Sequence, residues 1–179
     1  MTMALVFPGQ GSQSVGMGRS LFDAYPDSRK VFEEVDEALG EKLSSLIFEG
    51  PEDRLTLTQN AQPALMAVSM AAVRALESEG FGIGQAKFVA GHSLGEYSAL
   101  TAAGALTLAD TAKLLRIRGL AMQQAVPPGR GAMAAILGLE AGEVARLCQD
   151  AAEDGVCEPA NDNGGGQIVI SGDKAAVDR

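Results

Sequence analysis

Short unbroken apolar runs alternate along this chain with stretches whose apolar positions recur at helical spacing, the pattern of a mixed α/β protein. Ala4 to Phe7 reads as a short buried strand cut off by Pro8. Met17 to Tyr25 and Asp27 to Leu39 follow as surface helices, the second carrying Val31, Phe32, Val35 and Leu39 on one face and closed by Gly40. Leu43 to Phe48 adds a further helical turn or two before Gly50-Pro51 breaks it. Thr58 to Pro63 looks like a helix entry with Pro63 near the first helical position, leading an Ala- and Met-rich run to Leu76 that can be buried on most faces. Gln59 and Gln62 could reach a site from there, but they are read first as solvated capping residues. Phe88 to Ala90 is a second apolar run. Beyond it, Gly95 to Ala105 is rich in Ala, Gly, Ser and Thr, so its helix can lie close against neighbouring strands. Thr107 to Asp110 is a capping-box-like start, a Thr cap with an acid three residues later, for a helix to about Val126.

Pro127-Pro128-Gly129 is the clearest boundary in the chain. After it come a strand at Ala132 to Gly138, an amphipathic helix at Glu140 to Glu153, and a second strand at Gly155 to Asn161. Asn163-Gly164 then turns into a third strand at Gln167 to Ser171. Asn-Gly between apolar runs signals a hairpin, and no helix with a lysine follows the three glycines to make them a phosphate loop. Asp173 to Val177 opens a helix, so the order is βαββα, a split βαβ unit without its last strand.

Composition narrows the functional classes. With 46% hydrophobic and only 4% aromatic residues, the core has to be built from aliphatic side chains, Ala and Met. A formal net charge of −9 argues against nucleic acid or an anionic membrane as partner, because both would be repelled. The start lacks the basic and long apolar segments of a signal peptide, and no apolar stretch reaches membrane-spanning length, so a cytoplasmic location is expected. Cys148 and Cys157 have no ligand-like pattern around them and are expected to be free thiols, with no metal site.

Candidate chemistry centres on Gly91-His92-Ser93-Leu94-Gly95. An apolar run entering Gly-His-Ser-Leu-Gly and leaving in helix-compatible residues is the context of a sharp strand-to-helix turn that presents a serine. Glycines two before and two after Ser93 suit the crowding of such a turn. The adjoining helix N-terminus offers backbone N–H groups to an oxyanion. In the loop Pro8 to Gln13, glycines flank Gln10, whose amide suits a carbonyl or oxyanion, although for the loop taken alone a polar turn without chemistry is the favoured reading. On the later helix, Leu108, Ala112, Leu115, Gly119 and Met122 share a face. Arg118 falls at its apolar margin and Arg116 on the polar side. An arginine pressed into that margin needs an anion, which is either a distant acid or a substrate carboxylate.

Phe7 to Gln13, Gly91 to Glu96 and Arg116 to Gly119, together with Gly131 to Ala135 and Gln167 to Gly172, resemble malonyl-CoA:acyl carrier protein transacylases of bacterial type II fatty acid synthesis, throughout essentially all 179 residues. The resemblance implies an α/β fold: an α/β-hydrolase-like parallel-sheet domain over residues 1–127 and an inserted ferredoxin-like subdomain over 128–179, both incomplete in this chain. It implies Ser93 as nucleophile, Gln10 and the Leu94 backbone N–H as oxyanion hole, and Arg118 as receptor of the malonyl carboxylate. Met122, His92 and Asn161 are placed with the substrate-binding residues, His92 chiefly packing or supporting the turn. The expected partners are malonyl-CoA and acyl carrier protein, with no metal or redox cofactor, and a monomer when the chain is full length.

Members of that family run to about 300 residues, and their general base is a downstream histidine. His92 is the single histidine here. These 179 residues are therefore expected to transfer little acyl group alone, because a serine without an adjacent base is a poor nucleophile at neutral pH. Three other readings compete. One is a polyketide-synthase-type malonyl or methylmalonyl acyltransferase, against which a free-standing Met1 start speaks. Another is an esterase-type serine hydrolase, which has no use for Arg118. The last is an inactive fragment that binds acyl carrier protein through a local basic patch at Lys113, Arg116 or Arg130.

Overall fold

A computed structural model describes every residue except Met1 and Pro128. The predicted boundary at Pro127-Pro128-Gly129 thus falls in part outside the described residues. The chain divides into two compact units, Met1–Gln123 and Gln124–Arg179.

In the first unit, β1 (Ala4–Phe7) pairs in parallel with β2 (Phe88–Gly91), Ala4 opposite Phe88 and Phe7 opposite Gly91. Parallel strands need a long crossover. Here it is made of α1 (Arg19–Ala24), α2 (Pro26–Leu39), α3 (Leu43–Glu49), α4 (Glu52–Thr56) and α5 (Thr58–Ser78). The helices α6 (Leu94–Ala102) and α7 (Leu108–Ala125) follow β2. Apolar faces of α2, α3 and α5 close on one another around Val31, Phe32, Val35, Leu43, Ile47 and Met66. Phe22, Phe32 and Phe48 stack at their margin with ring centroids 5.1–5.8 Å apart. The expected Thr107 cap of α7 is present: the Asp110 N–H donates to Thr107 Oγ1 at 3.1 Å, and the Thr107 hydroxyl, rather than its backbone N–H as in a full capping box, donates to Asp110 Oδ2 at 2.7 Å.

Two of the boundaries that differ from the sequence expectation have a local cause. The first helix starts at Arg19 rather than Met17, because Gly16 and Gly18 take left-handed φ values of 89° and 74° and hold the chain in turns. Nor does Pro63 stand near the first position of α5: five residues from Thr58 are already helical, and Pro63 lies inside. Only Leu57, with extended ψ of 131°, separates α4 from α5, so the chain is helical earlier than a proline start would allow. The cost is local, since α5 forgoes the one backbone bond that Pro63 cannot donate.

The second unit has β3 (Gly131–Leu137), α8 (Ala141–Ala152), β4 (Cys157–Asp162), β5 (Gln167–Asp173) and α9 (Lys174–Asp178). Its strands form an antiparallel sheet in the order β3-β5-β4. The turn joining β4 to β5 is a hairpin: Gly164, Gly165 and Gly166 have φ of 73°, 60° and 77°, and the Asn163 N–H donates to the Gln167 carbonyl at 3.0 Å. Val144, Cys148, Cys157, Ile168, Ile170 and Ala176 form its core. Both cysteines are free, and burial pushes the Cys148 thiol up to about 11, with help from the neighbouring Cys157 sulfur. Among the described residues no helix is long and apolar enough to cross a membrane, and no group of three or more His, Cys, Asp or Glu side chains is placed to hold a metal ion.

Candidate active site

The turn from β2 into α6 is as sharp as the glycine spacing implies. Ser93 sits between the strand end at Gly91 and the helix start at Leu94 with φ 55° and ψ −114°, a conformation that costs a side-chain-bearing residue about 1–3 kcal/mol. Both flanking glycines are required sterically. A Cβ on Gly91 would overlap the Gly95 carbonyl, and one on Gly95 would run into the Phe7 carbonyl and stand 2.7 Å from the Pro8 carbonyl oxygen. The end of β1 is therefore part of the turn. The His92 N–H donates to the Phe7 carbonyl at 3.1 Å, and the Gly95 N–H donates back to the His92 carbonyl at 2.9 Å. Leu94 is the first residue of α6, so its N–H has no intrahelical partner, while its side chain is buried.

Ser93 is exposed, and Arg118 from α7 reaches it: Arg118 Nη2 donates to Ser93 Oγ at 3.1 Å. Two features bring the arginine there. Gly119 lets α7 press onto the backbone of Thr58 and Gln59 at the start of α5, where any Cβ would lie 2.5 Å from Gln59 Cα. One turn further along α5, Gln62 is fully buried and accepts from Arg118 Nη1 at 2.6 Å. The Gln62 amide nitrogen donates to Met122 Sδ at 3.3 Å. Below the guanidinium lies the Tyr97 ring, 5.8 Å from Arg118 Cζ. Among the described residues no carboxylate forms an ion pair with Arg118.

Arg116 has the opposite environment. It donates to Asn60 Oδ1 at 2.5 Å and forms an ion pair with Glu41, leaving its side chain 17% exposed. Of the three cations that the carrier-binding alternative could use, Arg116 is thus already engaged: it is a strut joining α7, α5 and the loop after α2. Lys113 and Arg130 are exposed.

The structure thus brings Ser93, Arg118 and Met122 into one cluster, with Met122 49% exposed at its edge. Gln10 is exposed in the loop after β1, and its amide donates to Thr58 Oγ1 at 3.3 Å rather than to any group of the turn. The His92 ring packs against Gly9, where a Cβ would stand 2.6 Å from Nδ1, and it makes no hydrogen bond among the described residues. Asn161 is an exposed residue of β4 opposite Val169, in the second unit.

Gln62 is the site residue that the sequence reading ranked wrongly, preferring a solvated cap over a residue that reaches the site. A signal for it was present. At helical spacing Gln62 lines up with Leu65 and Met66, both buried, and a polar amide on such a face needs a partner from elsewhere.

Comparison with known proteins gives a consistent set of likenesses. A family model described as the acyl transferase domain matches residues 4–179. The malonyl CoA-acyl carrier protein transacylase of Bacillus subtilis (strain 168) is 50% identical over 177 residues, covering 98% of this chain and 55% of that protein. Among solved structures, the acyl-carrier-protein-S-malonyltransferase of Bartonella henselae superposes with a TM-score of 0.95 at 62% identity, over 99% of this chain and 57% of the other. A type II PKS acyl-carrier protein in complex with its malonyl-transacylase gives a TM-score of 0.92 at 43% identity, again over 99% and 57%. The chain spans about half the length of the relatives it matches.

Proposed function

The chain belongs to the acyl transferase domain family, and from that premise we propose that it carries the acyl-binding half of an enzyme that moves a malonyl group from malonyl-CoA to the phosphopantetheine thiol of acyl carrier protein, in cytoplasmic fatty acid biosynthesis. Residues 1–127 are read as the catalytic domain and 128–179 as a small ferredoxin-like subdomain.

Ser93 Oγ attacks the thioester carbonyl, its proton passes to a base, and the carbonyl oxygen gathers negative charge. The Leu94 N–H at the head of α6, with Gln10 turned from Thr58, holds that oxyanion. Collapse breaks the C–S bond, releases the CoA thiol once protonated, and leaves malonyl-Ser93. Attack by the carrier thiol reverses the steps and regenerates the hydroxyl. No metal or redox cofactor enters the scheme.

The observation that carries this reading is the 3.1 Å contact between Arg118 Nη2 and Ser93 Oγ, made by an arginine that has no acid partner among the described residues. In malonyl-Ser93 the carboxylate carbon stands three bonds from Oγ, at about 1.5 Å per bond. A guanidinium that touches Oγ is thus within reach of that carboxylate, which it can bind through two N–H groups. An esterase of neutral substrates has no use for such a charge. The names of the relatives given above, malonyl transacylases and a malonyltransferase, support the same substrate class. His92 turns its ring to Gly9, which supports a base supplied by a group outside these 179 residues, so that residues 1–179 acylate slowly on their own.

Intact-mass measurement after incubation with malonyl-CoA, and separately with acetyl-CoA, tests the reading. Slow addition of one malonyl group is expected, abolished in Ser93→Ala. Arg118→Ala should lose malonyl loading and keep acetyl loading. Malonylation that persists in Ser93→Ala would refute the nucleophile, and equal loss of both acyl groups in Arg118→Ala would refute the carboxylate receptor. Transfer to acyl carrier protein at a rate near that of a full-length relative would refute the external base.

A further inference from the structure

We infer that Thr58, the first residue of α5, is a positioning residue for the oxyanion hole: its hydroxyl holds the Gln10 amide at rest and yields it only to a charged oxygen. The inference rests on the reading of Gln10 as an oxyanion donor.

Its basis is that the backbone around Gln10 is fixed while its side chain is free to choose a partner. On one side the loop is pressed onto the turn: a Cβ on Gly9 would stand 2.6 Å from His92 Nδ1 and 3.1 Å from the His92 carbonyl oxygen. On the other side the loop braces itself, the Gly11 N–H donating to Gln13 Oε1 at 2.8 Å. Gln10 is thus anchored beside the turn that bears Ser93. Its exposed side chain nevertheless reaches to α5, where the 3.3 Å bond to Thr58 Oγ1 is its only hydrogen bond among the described residues. Thr58 is a fixed post. It is half-buried and β-branched, which stiffens its side chain, and its carbonyl oxygen lies under Gly119 of α7, 2.7 Å from where a Cβ would stand.

A hydroxyl suits that post. The Thr58 oxygen is a neutral acceptor, as is the carbonyl oxygen of a bound thioester, so the amide gains little by exchanging one for the other. An oxyanion is charged, and a hydrogen bond to it is about twice as strong as a neutral one. The Gln10 amide therefore leaves Thr58 as charge develops, and its bond favours the transition state over the substrate complex. A carboxylate at position 58 would keep the amide and repel the oxyanion.

The test follows malonylation by intact mass, at malonyl-CoA concentrations where the rate is proportional to concentration. The Gln10 side-chain NH2 signals of the 15N-labelled chain, assigned with Gln10→Ala, give a second readout. Thr58→Val removes the acceptor and keeps the shape. It should acylate about threefold faster than the parent, the worth of one long neutral hydrogen bond, and shift the Gln10 NH2 signals. Thr58→Ser should restore both to the parent's values, and Thr58→Asp should acylate on the order of tenfold more slowly. Gln10→Ala should be slower than the parent, and Thr58→Val should change nothing further in that background. A residue that merely starts the helix would slow acylation when altered, with or without Gln10. A Thr58→Val chain no faster than the parent, or a gain that persists in the Gln10→Ala background, overturns the inference and leaves the oxyanion reading standing. Gln10→Ala acylating as fast as the parent overturns the oxyanion reading and this inference with it, and a parent that takes up no malonyl group overturns the Ser93 reading and both. Gln10 NH2 signals that are identical in the parent and Thr58→Val overturn the inference without recourse to any rate.

Discussion

Gly119→Ala sets two helix effects against each other. On an isolated helix the added methyl would stabilise by about 1 kcal/mol through propensity alone. In α7 the new Cβ would stand 2.5 Å from Gln59 Cα, 2.7 Å from the Thr58 carbonyl oxygen and 2.9 Å from Gln59 N. All three are backbone atoms, which cannot rotate away as a side chain would. Ordinary contact needs about 3.5 Å, so α7 must withdraw from α5 by roughly 1 Å. Overpacking of this kind costs on the order of 3 kcal/mol at its upper end. Subtracting the propensity gain leaves a net loss of about 2 kcal/mol, a fall in the urea midpoint on the order of 1 M. The same withdrawal stretches the 2.6 Å bond between Arg118 and Gln62 beyond hydrogen-bond range, so the two Nη groups of Arg118, expected to give separate arginine side-chain signals in a 15N spectrum of the parent, should average in the variant. Urea unfolding of both proteins by circular dichroism, with the arginine spectrum, checks both parts. An alanine variant as stable as the parent or more so, with Arg118 still held, would refute the claim that the glycine sets the helix approach and the approach sets the arginine.

Ser93→Gly should be more stable than Ser93→Ala by about 1 kcal/mol in the same unfolding assay, because glycine relieves the strain of φ 55° that alanine retains; equal stabilities would mean that the turn is not strained. Gly95→Ala should cost 3 kcal/mol or more, or fail to fold, since its Cβ meets the Phe7 and Pro8 carbonyls, and a soluble variant with an unchanged midpoint would count against that geometry. Asp36, buried in α2, accepts from the Ser44 N–H at 2.9 Å and its hydroxyl at 2.6 Å, so Asp36→Ala should lose about 2–3 kcal/mol, most of it recovered in Asp36→Asn. For Cys148, the folded protein should resist alkylation at pH 8 until urea exposes the thiol. Its value rises from 9.0 to about 11 on folding, so between about pH 9 and 11 the unfolded chain has lost a proton that the folded one keeps. Stability should therefore fall with rising pH across that window, more steeply in the parent than in Cys148→Ala.

Much of the site could be read from the chain because its demands are local. The turn at Ser93 advertises itself through the glycines that its crowding requires, and those contacts are made within five residues or with the adjacent strand. The distinction between Arg118 and Arg116 also followed from helical spacing. What spacing could not supply was each arginine's partner. Glu41 lies 75 residues from Arg116, in a loop brought near only by the packing of α2 on α5. Gln62 was misjudged for a related reason. Taking Pro63 as a helix start puts its neighbour in solvent, whereas the helix begins at Thr58 and carries Gln62 into the core. Propensity describes the proline correctly, but tertiary burial of an Ala-rich helix outweighs one missing backbone bond.

The pairing of Phe7 with Gly91 has a consequence for how such a chain can change over time. That rung places the loop bearing Gln10 and the turn bearing Ser93 side by side at the same ends of their strands. A single-residue insertion in either strand would leave every motif legible in the sequence and each loop intact by itself. It would nevertheless shift the two loops apart by one rung and turn the strand's side chains to the opposite face. Spacing between β1 and its loop, and between β2 and its turn, is therefore under tighter constraint than the eighty residues that separate them. Length changes should accumulate in the helical crossover and be nearly absent from the two four-residue strands.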